Sequence, residues 1–512
     1  MEGLSLQHLA VATIALLGGV YIIRSRAASR GCRPPGPFGL PLLGNVLQLP
    51  GQHLGTYFRG LCEEYGGFVS LNLAGLPVFL IGDLKLAKNV LDKRSAKFSS
   101  RPTAPFHKHV DPAKVYWTFL KQGETNFIAR KLTAGLMAAV RAGETERLQQ
   151  FEALLNMTLL LNDSGKFWFQ HMDRVSASVV LAVAFGLHCP TGEEPDLKEV
   201  IACNAEAVSL FTPSASIINV LPFLDIIPGP MPWRKRAQAY RKQEDALYDR
   251  LVTNAVSGKA SGMNTWAAAF AREDKPEGDQ RRLMNQFTVT ALSMQTFILA
   301  CILYPLWIPR AQSEIDAVVG QDRLPSFKDR PHLPYVEALV RETVRWRPAL
   351  RFGIPHQSTA DDVVEYKGTE YFIPKGSIIY AVTWAIEQEQ ERFENHDMFQ
   401  PERFLDDASN LKPGYETMCP GIPFAERTLW INIAMILWTF NIRKSEEPDS
   451  KTGLPFKYDA SDLAFNGEIT NGPFKFPAVF EPRSVHRAEV VRREWAECEK
   501  DLNVLLPRHR EG

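Results

Sequence analysis

Cys419, in Met418-Cys419-Pro420-Gly421, stands just before a long apolar stretch that reads as a helix. A cysteine presented from so tight a turn has the helix amides behind it, and these favour the thiolate. Well upstream lies Glu342-Thr343-Val344-Arg345. A Glu and an Arg three apart share one helix face, so they can pair with each other and with a second guanidinium. Arg403, in Pro401-Glu402-Arg403-Phe404, is the candidate for that guanidinium. An ion-paired buttress plus a thiolate at a helix start is a platform for an axial haem ligand.

The elements that must hold these residues are mostly helical. Periodicity predicts helix from Leu132 to Leu161, from Val175 to Phe185 and from Arg234 to Val252, with a short patch near Trp266. Phe287 to Leu303 is an uncharged run closed by Tyr304-Pro305; no basic flank follows directly, so it reads as a buried core helix. Helices continue at Arg310–Val319, Pro334–Arg345 and Ala425–Phe440. Val69 to Gly82 alternates and reads as a hairpin around Gly75, with strand-like pieces at Ile354–Pro355 and Ile373–Val382. No repeat is visible and no linker splits the body.

Charge excludes one class of partner. The 512 residues carry 58 Lys+Arg and 58 Asp+Glu, so nothing suggests nucleic acid. Seven cysteines are scattered without a Cys-x-x-Cys pair, which argues for a reducing compartment and against a disulfide framework or zinc cluster.

The N-terminus predicts a membrane anchor over 1–24. Leu9 to Ile23 is uncharged and spans roughly 23–26 Å as helix, tolerable in a thin bilayer. Arg24, Arg26, Arg30 and Arg33 follow it, which leaves the body in the cytosol. A basic, proline-rich hinge (25–45) leads into the main domain (46–512); the hinge reads either as a stiff spacer or as a plain linker. Ile217 to Trp233 is apolar, proline-punctuated and followed by basic residues, so it either dips into a membrane surface or forms a buried connector. Asn156-Met157-Thr158 and Asn162-Asp163-Ser164 are glycan acceptors that a cytosolic body leaves bare.

From Pro34 to about Pro482 the chain resembles the cytochrome P-450 haem-thiolate monooxygenases of the membrane-bound fungal type. The resemblance rests on Pro34-Pro35-Gly36-Pro37, Glu342-x-x-Arg345, Phe372-Ile373-Pro374-Lys375-Gly376, Pro401-Glu402-Arg403-Phe404 and Cys419-Pro420-Gly421, in that order. It implies a mainly α, single cytochrome P-450-type domain with a small β-region, tethered by one N-terminal transmembrane helix. It also implies that Cys419 is the proximal ligand of haem b iron, and that Glu342, Arg345 and Arg403 form the structural triad. Arg130 and His356 match positions that pair with haem propionates. Pocket residues would come from Arg101–Gly123, Leu210–Pro230 and Ala349–Ile354. The partners it implies are an NADPH-cytochrome P-450 reductase, a lipophilic small molecule and the endoplasmic reticulum membrane.

Three segments depart from the family pattern. Lys412, Tyr415 and Thr417 stand where that pattern has Phe, Gly and Arg, and Phe404 to Cys419 is short. In the long apolar helix Gln286, Phe287, Thr288, Val289 and Thr290 replace a small-residue kink with an acid and a threonine. Thr290, or Thr288 in a slipped register, is the hydroxyl candidate there, and its own helix carbonyl is an equally good partner for it. Asn126 replaces a Trp four residues before Arg130. Oxidation of a lipophilic small molecule, a fungal secondary metabolite, is the leading expectation. The alternatives are a haem-dependent isomerase or dehydratase, and a haem-poor pseudoenzyme or incomplete gene product.

Overall fold

Phe68–Leu73 (β1) and Leu76–Ile81 (β2) pair antiparallel, Phe68 opposite Ile81. Ala74 and Gly75 both take positive φ, the backbone that a two-residue hairpin with native twist requires, and Asn72 Oδ1 accepts from the Gly75 amide at 2.7 Å. The sheet grows in parallel on β2. The structure, a computed structural model, describes residues 32–103, 106–110, 121–211, 216–220, 222–258, 260, 263, 265–272, 288–414, 422–449 and 452–506. The expected membrane anchor, Trp117, Gln286, Phe287, Tyr415, Thr417 and Cys419 lie outside these residues.

The helices that matter below are α1 (Glu124–Arg141), α2 (Glu146–Asn162), α3 (Trp168–Phe185), α4 (Pro232–Val256), α5 (Thr288–Leu303), α6 (Ile308–Val319) and α7 (Pro334–Trp346). They are followed by β3 (His356–Gln357), β4 (Asp362–Tyr366), β5 (Thr369–Ile373), β6 (Ile378–Ala381) and α8 (Ile422–Thr439). The four-stranded sheet runs β1-β2-β6-β3, and β4 pairs with β5 as a separate hairpin.

The main core forms where α2, α3, α5, α7 and α8 converge. The uncharged stretch of α5 buries Met294, Phe297, Ile298, Ala300 and Cys301. No single helix among the described residues is long and apolar enough to cross a membrane; α5 and α6 pass together by composition but bend by 88° at the Tyr304-Pro305 break. Between α2 and α8 runs a buried polar ladder. Gln149 Nε2 donates to the Phe424 carbonyl at 3.1 Å and to Thr428 Oγ1 at 2.9 Å, and Asn156 Nδ2 donates to Asn432 Oδ1 at 3.0 Å. Satisfied amides in an apolar interface fix its register, since any slip strands them. Asn156 is fully buried, so its glycan-acceptor motif is closed to any enzyme.

Several elements differ from the sequence expectation. Leu132–Leu161 is two helices, because Gly143 takes a left-handed φ of 87° and its neighbour Glu144 donates its amide back to the Ala139 carbonyl, a glycine stop. Ile354–Pro355 forms no strand, β3 starting one residue later at His356, and of Ile373–Val382 only Ile378–Ala381 (β6) joins the sheet, while Ile373 ends β5 of a separate hairpin. Ile217–Trp233 is neither wholly buried nor wholly exposed: Ile218 is buried, whereas Ile226 is 82% exposed. The proline-rich hinge lies along the sheet edge, with Ser70 donating from its amide to Pro35 O and from its hydroxyl to Pro34 O.

Candidate active site

Glu342 and Arg345 lie one turn apart on the buried face of α7, both fully enclosed. Arg345 Nε donates to Glu342 Oε2 at 2.6 Å and Nη2 to Oε1 at 2.9 Å, a bidentate pair. The same Oε1 accepts from Arg403 Nε at 3.2 Å and from the Gln400 amide at 2.7 Å. The remaining guanidinium protons are spent on the chain between α7 and Arg403. Arg345 donates to the Glu387 and His396 carbonyls, and Arg403 to those of Glu394 and Asn395. Burial pulls the Arg403 guanidinium down, with Glu342 opposing it. Glu387, buried beside this network with Oε2 unpartnered, is pushed up to about 7 by the same loss of solvent.

From the buttress the chain runs toward Cys419 as a tied loop. Leu405 bridges to Leu411, the Lys412 amide donates to Phe404 O at 2.8 Å, and Arg341 Nη1 donates to Lys412 O at 3.1 Å. The Lys412 ammonium, where the family pattern has a ring, reaches back to the Arg403 carbonyl at 3.2 Å. The loop therefore leaves the buttress in one fixed direction as far as Lys412. α8 begins three residues beyond Cys419.

A second cluster has a different character. Arg130 lies exposed on α1, and His356 begins β3. His356 Nδ1 meets the Phe98 carbonyl at 2.7 Å, so that nitrogen carries the proton. Gln357 pairs with Ser100 across a β-bridge, which aligns 98–101 with 354–357. The alignment brings in Arg101, a residue the motif reading placed only within a pocket-lining range. Arg101 Nη1 donates to the Ile354 and Pro355 carbonyls at 2.8 and 2.9 Å. Burial, and next the Arg130 charge, lower Arg101 to about 10; burial, and next Arg101, lower His356 to about 3. His356 is thus neutral at physiological pH. A local sequence signal for Arg101 did not exist, since its partners lie some 250 residues away.

The remaining candidates are placed as follows. Thr290 is half-buried in the first described turn of α5, and its hydroxyl makes no hydrogen bond among the described residues. The 466–472 loop reaches the same helix: a Cβ on Gly472 would stand 2.2 Å from Leu292 Cδ2. Asn471 donates its amide to Ala349 O at 2.7 Å, so that loop joins the expected pocket segment 349–354. Within that segment Arg351 is turned away, stacked 3.9 Å over Trp384 and paired with Asp462 at 3.1 Å. Asp225 links two other expected pocket segments: its carboxylate contacts Lys108 and, at 2.7 Å, His109 Nε2.

Known proteins resemble the chain over most of its length. The family model for cytochrome P-450 matches residues 34–457. Cytochrome P-450 monooxygenase 58 of Postia placenta is 31% identical over 523 residues, covering 95% of each chain. Cytochrome P-450 monooxygenase peniB of Penicillium patulum is 31% identical, covering 96% of this chain and 92% of its own. Monooxygenase drtD of Aspergillus calidoustus is 30% identical over 95% of this chain and 92% of its own. A mainly helical domain, a buried Glu-x-x-Arg buttress and these matches lead to one statement: the chain belongs to the cytochrome P-450 monooxygenase family.

Proposed function

We propose that this chain binds haem b through Cys419 and inserts one oxygen atom into a lipophilic small molecule of fungal secondary metabolism. The observation that carries the reading is the buried pairing of Glu342 with Arg345 and Arg403, which sets the direction of the loop entering Cys419. The chemistry of the other cluster also fits the group. Haem b presents two carboxylates on one edge, and Arg101 and Arg130 are cations that form no ion pair among the described residues. When bound, the haem supplies dioxygen activation, which a thiolate ligand promotes.

The chain's own residues have separate tasks. Glu342 holds both guanidiniums, and these hold the backbone carbonyls that shape the loop. Arg130 and His356 would stand at the carboxylate edge. Thr290 would be the hydroxyl that hands on a proton from α5. The apolar pocket segments exclude water and select a lipophilic substrate.

Electrons would come from an NADPH-cytochrome P-450 reductase. The segment 1–24 would anchor the protein in the endoplasmic reticulum membrane with the catalytic domain in the cytosol. Exposed Phe38, Leu47 and Ile226 support apposition to that surface.

Turnover with reductase, NADPH and isotopically labelled dioxygen tests the reading: one labelled oxygen in the product is expected. The absence of an acid beside Thr290 along α5 favours a second reading, a haem-dependent isomerase or dehydratase. Product that forms without NADPH and carries no label would establish that one instead.

A further inference from the structure

Arg345 and Arg351 are both buried, and they are held differently. Every guanidinium nitrogen of Arg345 has a hydrogen-bond partner. Arg351, 2% exposed, uses only Nη1, which donates to Asp462 Oδ1 at 3.1 Å and to Thr56 Oγ1 at 3.2 Å. Its Nε and Nη2 are buried without a partner among the described residues. Burial, with Asp462 opposing it, lowers the guanidinium to about 10. Stability does not account for such a residue. An unbranched apolar side chain would fill the same slot without the cost of desolvation and two unpaired donors.

What the guanidinium supplies is a junction. Its Cζ lies 3.9 Å from the centre of the Trp384 ring and 5.2 Å from that of Phe465, and the Trp384 amide donates to the Arg351 carbonyl at 2.8 Å. One tryptophan thus fixes both the side chain and the backbone of the arginine. The Leu54–Tyr65 helix admits it at a glycine, because a Cβ on Gly55 would stand 2.6 Å from Arg351 Cβ. Across the junction Asp462 starts the stretch that carries the 466–472 loop, and the Phe465 amide donates back to Asp462 O. That loop returns to the arginine's own segment, where Leu350 bridges to Thr470 and the Asn471 amide donates to Ala349 O. Arg351 therefore closes a ring of contacts between the pocket segment 349–354 and the loop that meets α5 at Leu292.

We propose that Arg351 is a positioning residue for substrate selection: through Asp462 its guanidinium sets how closely segment 349–354 and the 466–472 loop approach, and so the bulk of the molecule that reaches the haem. The inference rests on the haem reading above and deepens it. Asp462 is 28% exposed, so removing the arginine strands no buried charge and separates the junction from stability.

The test uses the full-length, haem-loaded chain titrated with imidazole and with 4-phenylimidazole, two nitrogen ligands of iron that differ in bulk, read by the Soret shift on binding. Arg351→Met keeps a stem to pack on Trp384 and loses the junction. It should leave the affinity for imidazole and the urea midpoint where they are. The ratio of the two dissociation constants should move about tenfold in favour of the bulkier ligand. Arg351→Lys keeps a charge for Asp462 without the stacked fork. It should move the ratio less, and it reads the same quantity if the Met variant does not fold. Asp462→Asn added to Arg351→Met should change the ratio no further, since the two residues act as one pair. A ratio in Arg351→Met equal to that of the wild type would overturn the assignment. So would a joint loss of urea midpoint and of affinity for both ligands, the pattern of a merely structural residue. A wild type that loads no haem, or whose loaded haem shifts with neither ligand, would overturn the haem reading itself, and this inference with it.

Discussion

The two charged clusters of this protein are built on opposite plans. Around Glu342 the charges are paired: one carboxylate serves two guanidiniums, and their spare protons reach the carbonyls of Glu387, Glu394, Asn395 and His396. Around His356 two cations have no acid partner among the described residues, and burial, and next Arg130, push Arg101 down. The first cluster is complete within the chain and so belongs to its fold. The second has no acid of its own among the described residues, and the proposed function reads it as a binding site whose counter-charge would arrive from outside. A folded protein tolerates such a debt only where a ligand settles it.

That contrast can be broken by measuring stability with and without haem. The largest effect is expected for Glu342→Ala, which strands Arg345 in the core. Urea unfolding of the apo chain should show a loss of about 3–5 kcal/mol, or no folded protein at all. Arg403→Met leaves the Glu342–Arg345 pair intact, and should cost the apo chain about 1–3 kcal/mol by the same assay. Arg130→Met should move apo stability by no more than about 0.5 kcal/mol, because it removes a like-charge neighbour rather than a partner. The same variant should weaken haem uptake by about tenfold in a spectroscopic titration. If Arg130→Met instead destabilised the apo chain as Arg403→Met does, the two clusters would not differ in kind.

The smallest effect concerns Glu387. Its folded value lies near 7, raised from 4.5 by burial. The folded state therefore holds the proton more tightly than the unfolded one, and the stability this gives fades as pH rises from 4.5 through 7. Glu387→Gln should flatten that decline. Urea midpoints at about pH 5 and about pH 8 compare the two slopes. An unchanged slope would show that Glu387 is not the group responsible.

Sequence pattern revealed what is local. The uncharged run of α5, the Pro334 start of α7 and the Gly75 hairpin each carry their cause within a few residues, and the structure has them where the pattern puts them. The E-x-x-R spacing likewise places two side chains on one face with no tertiary information. What stayed hidden is non-local. Arg101 is defined by carbonyls in 354–355, and Asn156 by an amide in α8, so the first reads only as the start of a pocket-lining stretch and the second as a glycan site. The β4–β5 hairpin escaped for another reason: its apolar residues sit at exposed as well as buried positions, Val363 being exposed beside buried Val364, so its sequence does not alternate.

The central claim, haem held by the Cys419 thiolate, is tested most directly by the ferrous–CO spectrum of the haem-loaded full-length chain, with Cys419→Ser beside it. The account predicts the long-wavelength Soret band of thiolate ligation in the wild type and its loss in the variant. Full haem loading with only the shorter-wavelength band of a neutral ligand, the same in both proteins, would contradict it.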